Sequence, residues 1–278
     1  RITELCLDAS KYILDVINRR ASGTVFFSAT LDPLDYYVQL ITNKEGKSIR
    51  IPSPFKQKHL GIFVEGTTST RYKDRDRSVG RIIDTIYGML ETKVGNYIVF
   101  FPSYKYMDMV LQEFDETEYI TFIQERNMSQ RARSKMLDEF SQKGEESKIG
   151  FFVLGGSFSE GIDYVGDMLN GVLIIGVAMP QFNQYNELLR NHFDEKFDSG
   201  FDYAYTYPGM NKVVQAVGRV IRTEEDRGIA ILFDDRYTHR KYKSLFPKQW
   251  SHYQKIEDND FVQTALEKFW DSLYKTKE

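Results

Sequence analysis

Two arginines three residues apart close the stretch Gln215-Ala216-Val217-Gly218-Arg219-Val220-Ile221-Arg222, and such a pair can clamp a phosphate. Each guanidinium is permanently charged and offers a rigid fork of donors that matches phosphate oxygens. On a helix this spacing puts both side chains on one face, and Gly218 lets a ligand or another backbone come close. Upstream, Tyr207-Pro208-Gly209-Met210-Asn211 supplies a turn with Asn211 as candidate N-cap, so the sequence predicts a helix over 211–222. Downstream, Asp226-Arg227-Gly228 leads into the apolar run Ile229 to Phe233, a buried strand. An Arg-x-x-Arg with no other context would read as a solvated basic face of little energetic weight, so the neighbouring residues decide.

A second loop carries related chemistry. In Gly155-Gly156-Ser157-Phe158-Ser159-Glu160-Gly161-Ile162-Asp163 the glycines permit close backbone approach and the serines can donate to phosphate oxygens. The carboxylates can hold a ribose hydroxyl or a partner arginine. Its glycine spacing does not match a Rossmann fingerprint. Ser103 and Tyr104 follow the apolar run Tyr97 to Phe101, and Ser28 and Thr30 follow Thr24-Val25-Phe26-Phe27, which reads as a short buried strand. The triplet Gly46-Lys47-Ser48 imitates the end of a phosphate-binding loop, but that loop needs a glycine at position 41, where Ile41 stands. A hairpin turn is expected there instead.

The elements that must position these groups alternate regularly. Strands are expected at 60–64, 97–101, 119–123, 148–154, 171–178 and 228–233, with helices between them at about 78–91, 104–114, 129–140, 183–197 and 211–222. Short loops between alternating strands and helices imply an α/β fold with a doubly wound, mainly parallel sheet flanked by helices, and such sheets place ligands beyond the carboxyl ends of their strands. The mixed-charge run Arg71 to Arg77 reads as a solvated loop, with contact to a phosphate backbone as the alternative. In the tail, Arg236, Arg240, Lys241, Lys243 and Lys248 alternate with Tyr237, Tyr242 and Trp250. That pattern fits single-stranded nucleic acid, or else short surface helices whose aromatics pack down.

Composition sets the outer bounds. The 278 residues are 41% hydrophobic and 28% charged, with a net charge of −3, so any nucleic-acid contact must rest on local patches. No apolar run approaches a membrane span. A single cysteine, Cys6, excludes an internal disulfide and any cluster held by several thiolates, which makes a reducing cytoplasm the default location. The chain opens at Arg1 inside an apparent helix without a methionine, as expected for part of a longer protein.

Together Ser28-Ala29-Thr30-Leu31, the strand ending Phe101-Pro102-Ser103-Tyr104, Ser159 to Asp163 and Gln215 to Arg222 resemble superfamily 2 helicase motifs III, IV, V and VI, in their order. The variants are those of the XPD/DinG group of iron–sulfur helicases; DEAD-box enzymes usually begin motif VI with histidine, where this chain has Gln215. Asn186 to Arg190 and Asp226 to Arg236 carry the likeness further. The resemblance implies a RecA-like second motor domain over 46–278, with residues 1–45 as the tail end of the first lobe. It implies that Arg222, as arginine finger, and Arg219 reach the nucleotide phosphates, and that Gln215 orders their helix. Gly161 and Asp163 would link nucleotide to DNA, and Ser103, Tyr104, Ser157, Ser159 and Arg236 would contact the strand. Ser28 and Thr30 would couple the lobes.

The same resemblance implies ATP with Mg2+, bound mainly by a first lobe that this sequence lacks: no Walker A or Walker B box is present. The cluster cysteines of the family also belong to that first lobe. The expected activity is ATP-driven 5′–3′ movement on single-stranded DNA by the whole protein, with this chain inactive alone. The expected partners are single-stranded DNA and the first lobe, without a membrane or a metal ligand set. The alternatives are a non-catalytic DNA- or protein-interaction module built from a helicase lobe, and an RNA-directed or nuclease-fused relative.

Overall fold

Four strands of the sheet are apolar nearly from end to end, the mark of strands covered on both faces. The computed structural model describes residues 4–142, 144–156, 158, 169–256 and 260–274. Helices α1 (Ser10–Arg20) and α2 (Leu34–Thr42) precede β1 (Leu60–Glu65), α3 (Arg75–Thr92), β2 (Asn96–Phe101), α4 (Tyr104–Leu111), β3 (Ile120–Ile123) and α5 (Gln130–Ser141). There follow β4 (Lys148–Val153), β5 (Gly171–Ile175), α6 (Gln184–Phe197), a wide π-helical stretch Asp202–Thr206, α7 (Tyr207–Val217), β6 (Gly228–Phe233), α8 (Arg240–Lys243), β7 (Gln254–Ile256) and α9 (Asp260–Tyr274). The chain divides into two compact units, one of residues up to Pro52 with 179–211, the other of 53–178 with the residues from Lys212 onward.

The larger unit holds one seven-stranded sheet in the order β3-β4-β2-β5-β6-β1-β7. Every neighbouring pair is parallel. Successive residues of β4 show why both faces need cover. Phe151 joins the cluster that α3, α4 and α9 close with Ile82, Ile86, Met107, Leu266 and Trp270. Phe152 turns the other way to Phe140 of α5. Each fully buried phenylalanine contributes about 2–3 kcal/mol by removal from water. Caps set the entry angles: Ser103 Oγ accepts from the Tyr106 amide at 3.4 Å and Ser129 Oγ from Ala132 at 3.2 Å. The fold is the doubly wound parallel α/β architecture that the alternation predicts, with the RecA-like form that the family resemblance implies.

The smaller unit is built on aromatic rings. Tyr36 packs against Tyr37, Tyr203 and Tyr207, with centroids 4.9–5.1 Å apart, and Phe193 stacks on Tyr203 at 4.7 Å. Asp8 pairs with Lys196 at 2.6 Å.

Several expectations are corrected. Thr24 to Phe27 is not a buried strand: it forms no ladder, and Val25 and Phe27 are 83% and 90% exposed. An apolar run becomes a strand only where a neighbour takes its backbone hydrogen bonds. Gly46 does turn the chain, at φ +105, but residues 47–52 form no strand, so the hairpin is absent. Arg71 to Arg77 is no solvated loop, since α3 starts at Arg75 and Arg75 is half-buried. Asn211 is no N-cap: it lies inside α7, which begins four residues earlier with Pro208 in its first turn, where a missing amide costs least. The aromatics of the basic tail pack down: Tyr237, Tyr242 and Trp250 are all buried.

Candidate functional site

The arginine segment departs most from its expected form. α7 ends at Val217, so Arg219 and Arg222 stand beyond the helix, in a turn and an irregular stretch, and do not share a helical face. Gly218 weakens the helix, and the β-branched pair Val220-Ile221 goes to the interior instead, at 2% and 7% exposure. A β-carbon added at Gly228 would lie 2.3 Å from Val220 Cγ1 and 2.7 Å from the Asn170 carbonyl oxygen. Asn170 immediately precedes β5 and Gly228 opens β6, so the arginines sit at the amino edge of the sheet, not the carboxyl edge. Asp226, itself buried, shapes the corner. Its carboxylate accepts from the Arg222 amide at 2.7 Å, the Thr223 amide at 2.8 Å and the Thr223 hydroxyl at 2.9 Å. Gln215 is exposed on α7, and both arginines are partly exposed.

The carboxyl edge gathers different groups. Ser103 caps α4 and accepts from Arg75 Nη1 at 3.4 Å. Gln124 donates to the Tyr104 hydroxyl at 2.8 Å and accepts from the Val153 amide at 2.8 Å, so Tyr104 is tied to the end of β4. Arg126 lies 5.4 Å from the Tyr104 ring centre. Gly155, at φ +78, leads into the glycine-serine loop. A β-carbon there would meet Lys212 Nζ at 2.9 Å, which brings a cation from α7 to that loop. Ser157, Ser159, Gly161 and Asp163 lie outside the described residues.

Arg236 occupies this edge as well, but its guanidinium is committed. It grips Asp234 through Nε at 2.6 Å and Nη2 at 2.9 Å, and only 13% of its side chain is exposed. Asp234 also accepts from the Thr70 hydroxyl and from the Thr70 amide at 3.3 Å. Burial alone would push the Asp234 carboxyl up; the hydrogen bonds and charge of Arg236, with Thr70, hold it below the usual carboxylate range. Beside this pair the Tyr237 hydroxyl donates to the Gly176 carbonyl at 2.7 Å. Arg236 thus holds the loop after β1 against the end of β6, and a direct strand contact loses its main support. In the smaller unit Ser28 and Thr30 form a local turn, the Thr30 amide donating to Ser28 Oγ at 3.2 Å.

The chain matches the helicase C-terminal domain family over residues 86–253. It belongs to that family, in its XPD/DinG branch. The 3′-5′ exonuclease DinG of Staphylococcus epidermidis is 30% identical over 206 residues, 72% of this chain and 22% of that protein. The ATP-dependent DNA helicase CHL1 of Debaryomyces hansenii is 25% identical over 268 residues, 85% of this chain and 32% of that protein. An XPD helicase structure shares the fold over 90% of this chain and 45% of its own, with a TM-score of 0.68 at 19% identity. The chain therefore spans between a fifth and a third of the curated relatives it matches.

In this helicase C-terminal domain, sequence reasoning missed Asp226, Asp234, Thr70 and Arg75. Asp226 had a local signal, a carboxylate three residues after a threonine at a strand entrance, the arrangement of side-chain-closed turns. Asp234 directly follows a buried strand, but its pairing with Thr70 spans 164 residues. Among the described residues no group of three or more His, Cys, Asp or Glu is arranged to hold a metal, and no helix is long and apolar enough to cross a membrane.

Proposed function

We propose that this chain is the C-terminal motor lobe of an ATP-dependent DNA helicase that moves 5′ to 3′ on single-stranded DNA. What carries the reading is the separation of two chemistries in a chain of this family. A pair of arginines, Arg222 with its amide held by Asp226, stands at the amino edge of the sheet, and a hydroxyl, aromatic and cationic surface stands at its carboxyl edge. One suits the nucleotide and the other suits the strand. In this reading residues 1–45 close the first lobe and 46–278 form the second.

Arg222 serves as arginine finger, offsetting the charge that develops on the transferred phosphoryl group, with Arg219 on neighbouring phosphate oxygens. Asp226 orients Arg222 by fixing its backbone amide, and Gln215 orders the preceding helix. Ser103, Tyr104, Ser157 and Ser159 contact the strand, Gly161 and Asp163 connect strand to nucleotide, and Ser28 and Thr30 couple the two lobes. Bound ATP with Mg2+ supplies the phosphoryl group whose loss drives the cycle. This chain can contribute only the arginine side of that site, because it has no phosphate-binding loop; alone it is inactive. Cys6 is exposed and one thiolate does not fit an iron–sulfur cluster, so any such cluster is held by the first lobe.

The test uses the full-length protein. Arg222→Ala should lower DNA-stimulated ATP turnover by roughly 10³-fold or more while leaving single-strand affinity unchanged; wild-type turnover in that variant would refute the finger assignment. Displacement of streptavidin from the 3′ end of an oligonucleotide, and not from the 5′ end, is expected for 5′–3′ movement.

A further inference from the structure

Three arginines meet at the carboxyl edge of the sheet, and two of them are neutralised. Arg236 is paired with Asp234, and Arg71 with Asp235 at 2.6 Å. Arg75 is not. Its guanidinium lies 4.6 Å from the Tyr106 ring centre and 5.4 Å from that of Tyr72, and its Nη1 donates to Ser103 Oγ at 3.4 Å. Among the described residues no carboxylate pairs with it, and its Nε is buried without a hydrogen-bond partner. Burial disfavours the charged form of Arg75; Tyr106 and Tyr72 oppose that effect, and the charge of Arg236 adds to it. Tyr106 offers the ring face and no charge, since burial pushes its phenol up to about 12.

A half-buried cation with no carboxylate paired to it is costly unless an anion completes it. Two features beside it select the anion. Lys105 brings its Nζ within 3.4 Å of the Tyr72 hydroxyl, adding a second cation. Tyr72 itself is 74% exposed, with Arg75 and Lys105 5.4 and 5.6 Å from its ring centre. Cations that track a backbone, set beside an open aromatic face, are the recognition chemistry of single-stranded nucleic acid.

We infer that Arg75, with Ser103 and Lys105, binds a backbone phosphate of a single nucleic-acid strand, and that the adjoining base stacks on Tyr72. This rests on the strand-binding role proposed for the carboxyl edge. It assigns the principal phosphate contact to Arg75, which the paired Arg236 cannot make.

The experiment is fluorescence anisotropy of the full-length protein with a fluorescein-labelled oligothymidylate, repeated over a salt series. Each phosphate neutralised on a single strand contributes about 0.7 to the slope of log K against log salt. Arg75→Gln should flatten the slope by roughly that amount and weaken binding about tenfold or more. Lys105→Gln, at an exposed position, should flatten it similarly without touching the core. Arg75→Lys should keep the slope and lose affinity, because the charge stays and the fork is lost. Tyr72→Ala should weaken binding roughly 5- to 100-fold with the slope unchanged. A purely structural Arg75 would alter thermal stability without altering the slope. Wild-type affinity and slope in Arg75→Gln and Lys105→Gln would overturn this site and leave the helicase reading intact. No strand binding by the wild type would overturn both.

Discussion

Removing the Asp226 carboxylate should disable the arginine corner without touching either arginine. Three donors converge on that carboxylate, two of them backbone amides of Arg222 and Thr223, within 2.7–2.9 Å. Asp226 is 5% exposed, so water cannot easily replace it. Hydrogen bonds to a charged acceptor are each worth about 1.5–3 kcal/mol, but they share one group and are not additive. Asp226→Ala should therefore cost about 3 kcal/mol, which for a chain of this size lowers Tm by roughly 6–12 °C. Asp226→Asn keeps the oxygen that accepts both amides and loses mainly the charge, so about 1 kcal/mol is expected. Differential scanning calorimetry with DNA-stimulated ATP turnover, on the full-length protein, separates the cases. The alanine variant should lose most turnover and the asparagine variant little. An alanine variant with wild-type Tm and turnover would refute the claim that this carboxylate positions Arg222.

Other consequences follow from the same contacts. Asp234→Asn strips the buried Arg236 of its partner and should cost about 3–5 kcal/mol, read by urea unfolding. Asp234 and Asp8 both have carboxyl groups held below their ordinary range: burial raises each, and Arg236 or Lys196 outweighs it. Their stabilisation is then fully present above the unfolded value near 4 and lost as pH falls through the lower folded values. Unfolding midpoints should fall steeply below about pH 4, and the Asp234→Asn protein should show a shallower decline. Gly228→Ala places a methyl group 2.7 Å from the Asn170 carbonyl oxygen and should cost about 1–3 kcal/mol by overpacking, with a matching drop in Tm. Phe27→Ser removes an apolar ring that is 90% exposed in this chain, so it should raise the solubility of the isolated chain and leave its Tm within about 1–2 °C; a large loss of Tm would show that the ring is buried.

The parallel sheet was legible because its inner strands are apolar on successive residues. Tyr97 to Phe101 and Ile229 to Phe233 can bury both faces only inside a layer of helices. Thr24 to Phe27 shows the limit of that signal: the same composition stays irregular and exposed when no strand lies beside it, and pairing is not a local property. The arginine segment was recognisable by residue type but not by shape. Helix periodicity runs on through Arg219 and Arg222, whereas Gly218 and the burial of Val220 and Ile221 end the helix earlier. Arg75 and Arg236 show the same difficulty with charge. In sequence each is one basic residue among several. Only contacts across 28 residues for Arg75 and 166 for Arg236 show the first facing Ser103 and two rings, and the second reaching back to Thr70 beside its own carboxylate.

ATP turnover by the full-length protein, with and without single-stranded DNA and beside the isolated chain, tests the central claim most directly. A motor divided between two lobes predicts turnover that DNA stimulates in the full-length protein and none in this chain alone. Turnover by neither, with DNA present and both proteins folded, would contradict the motor assignment and identify the chain as an interaction module.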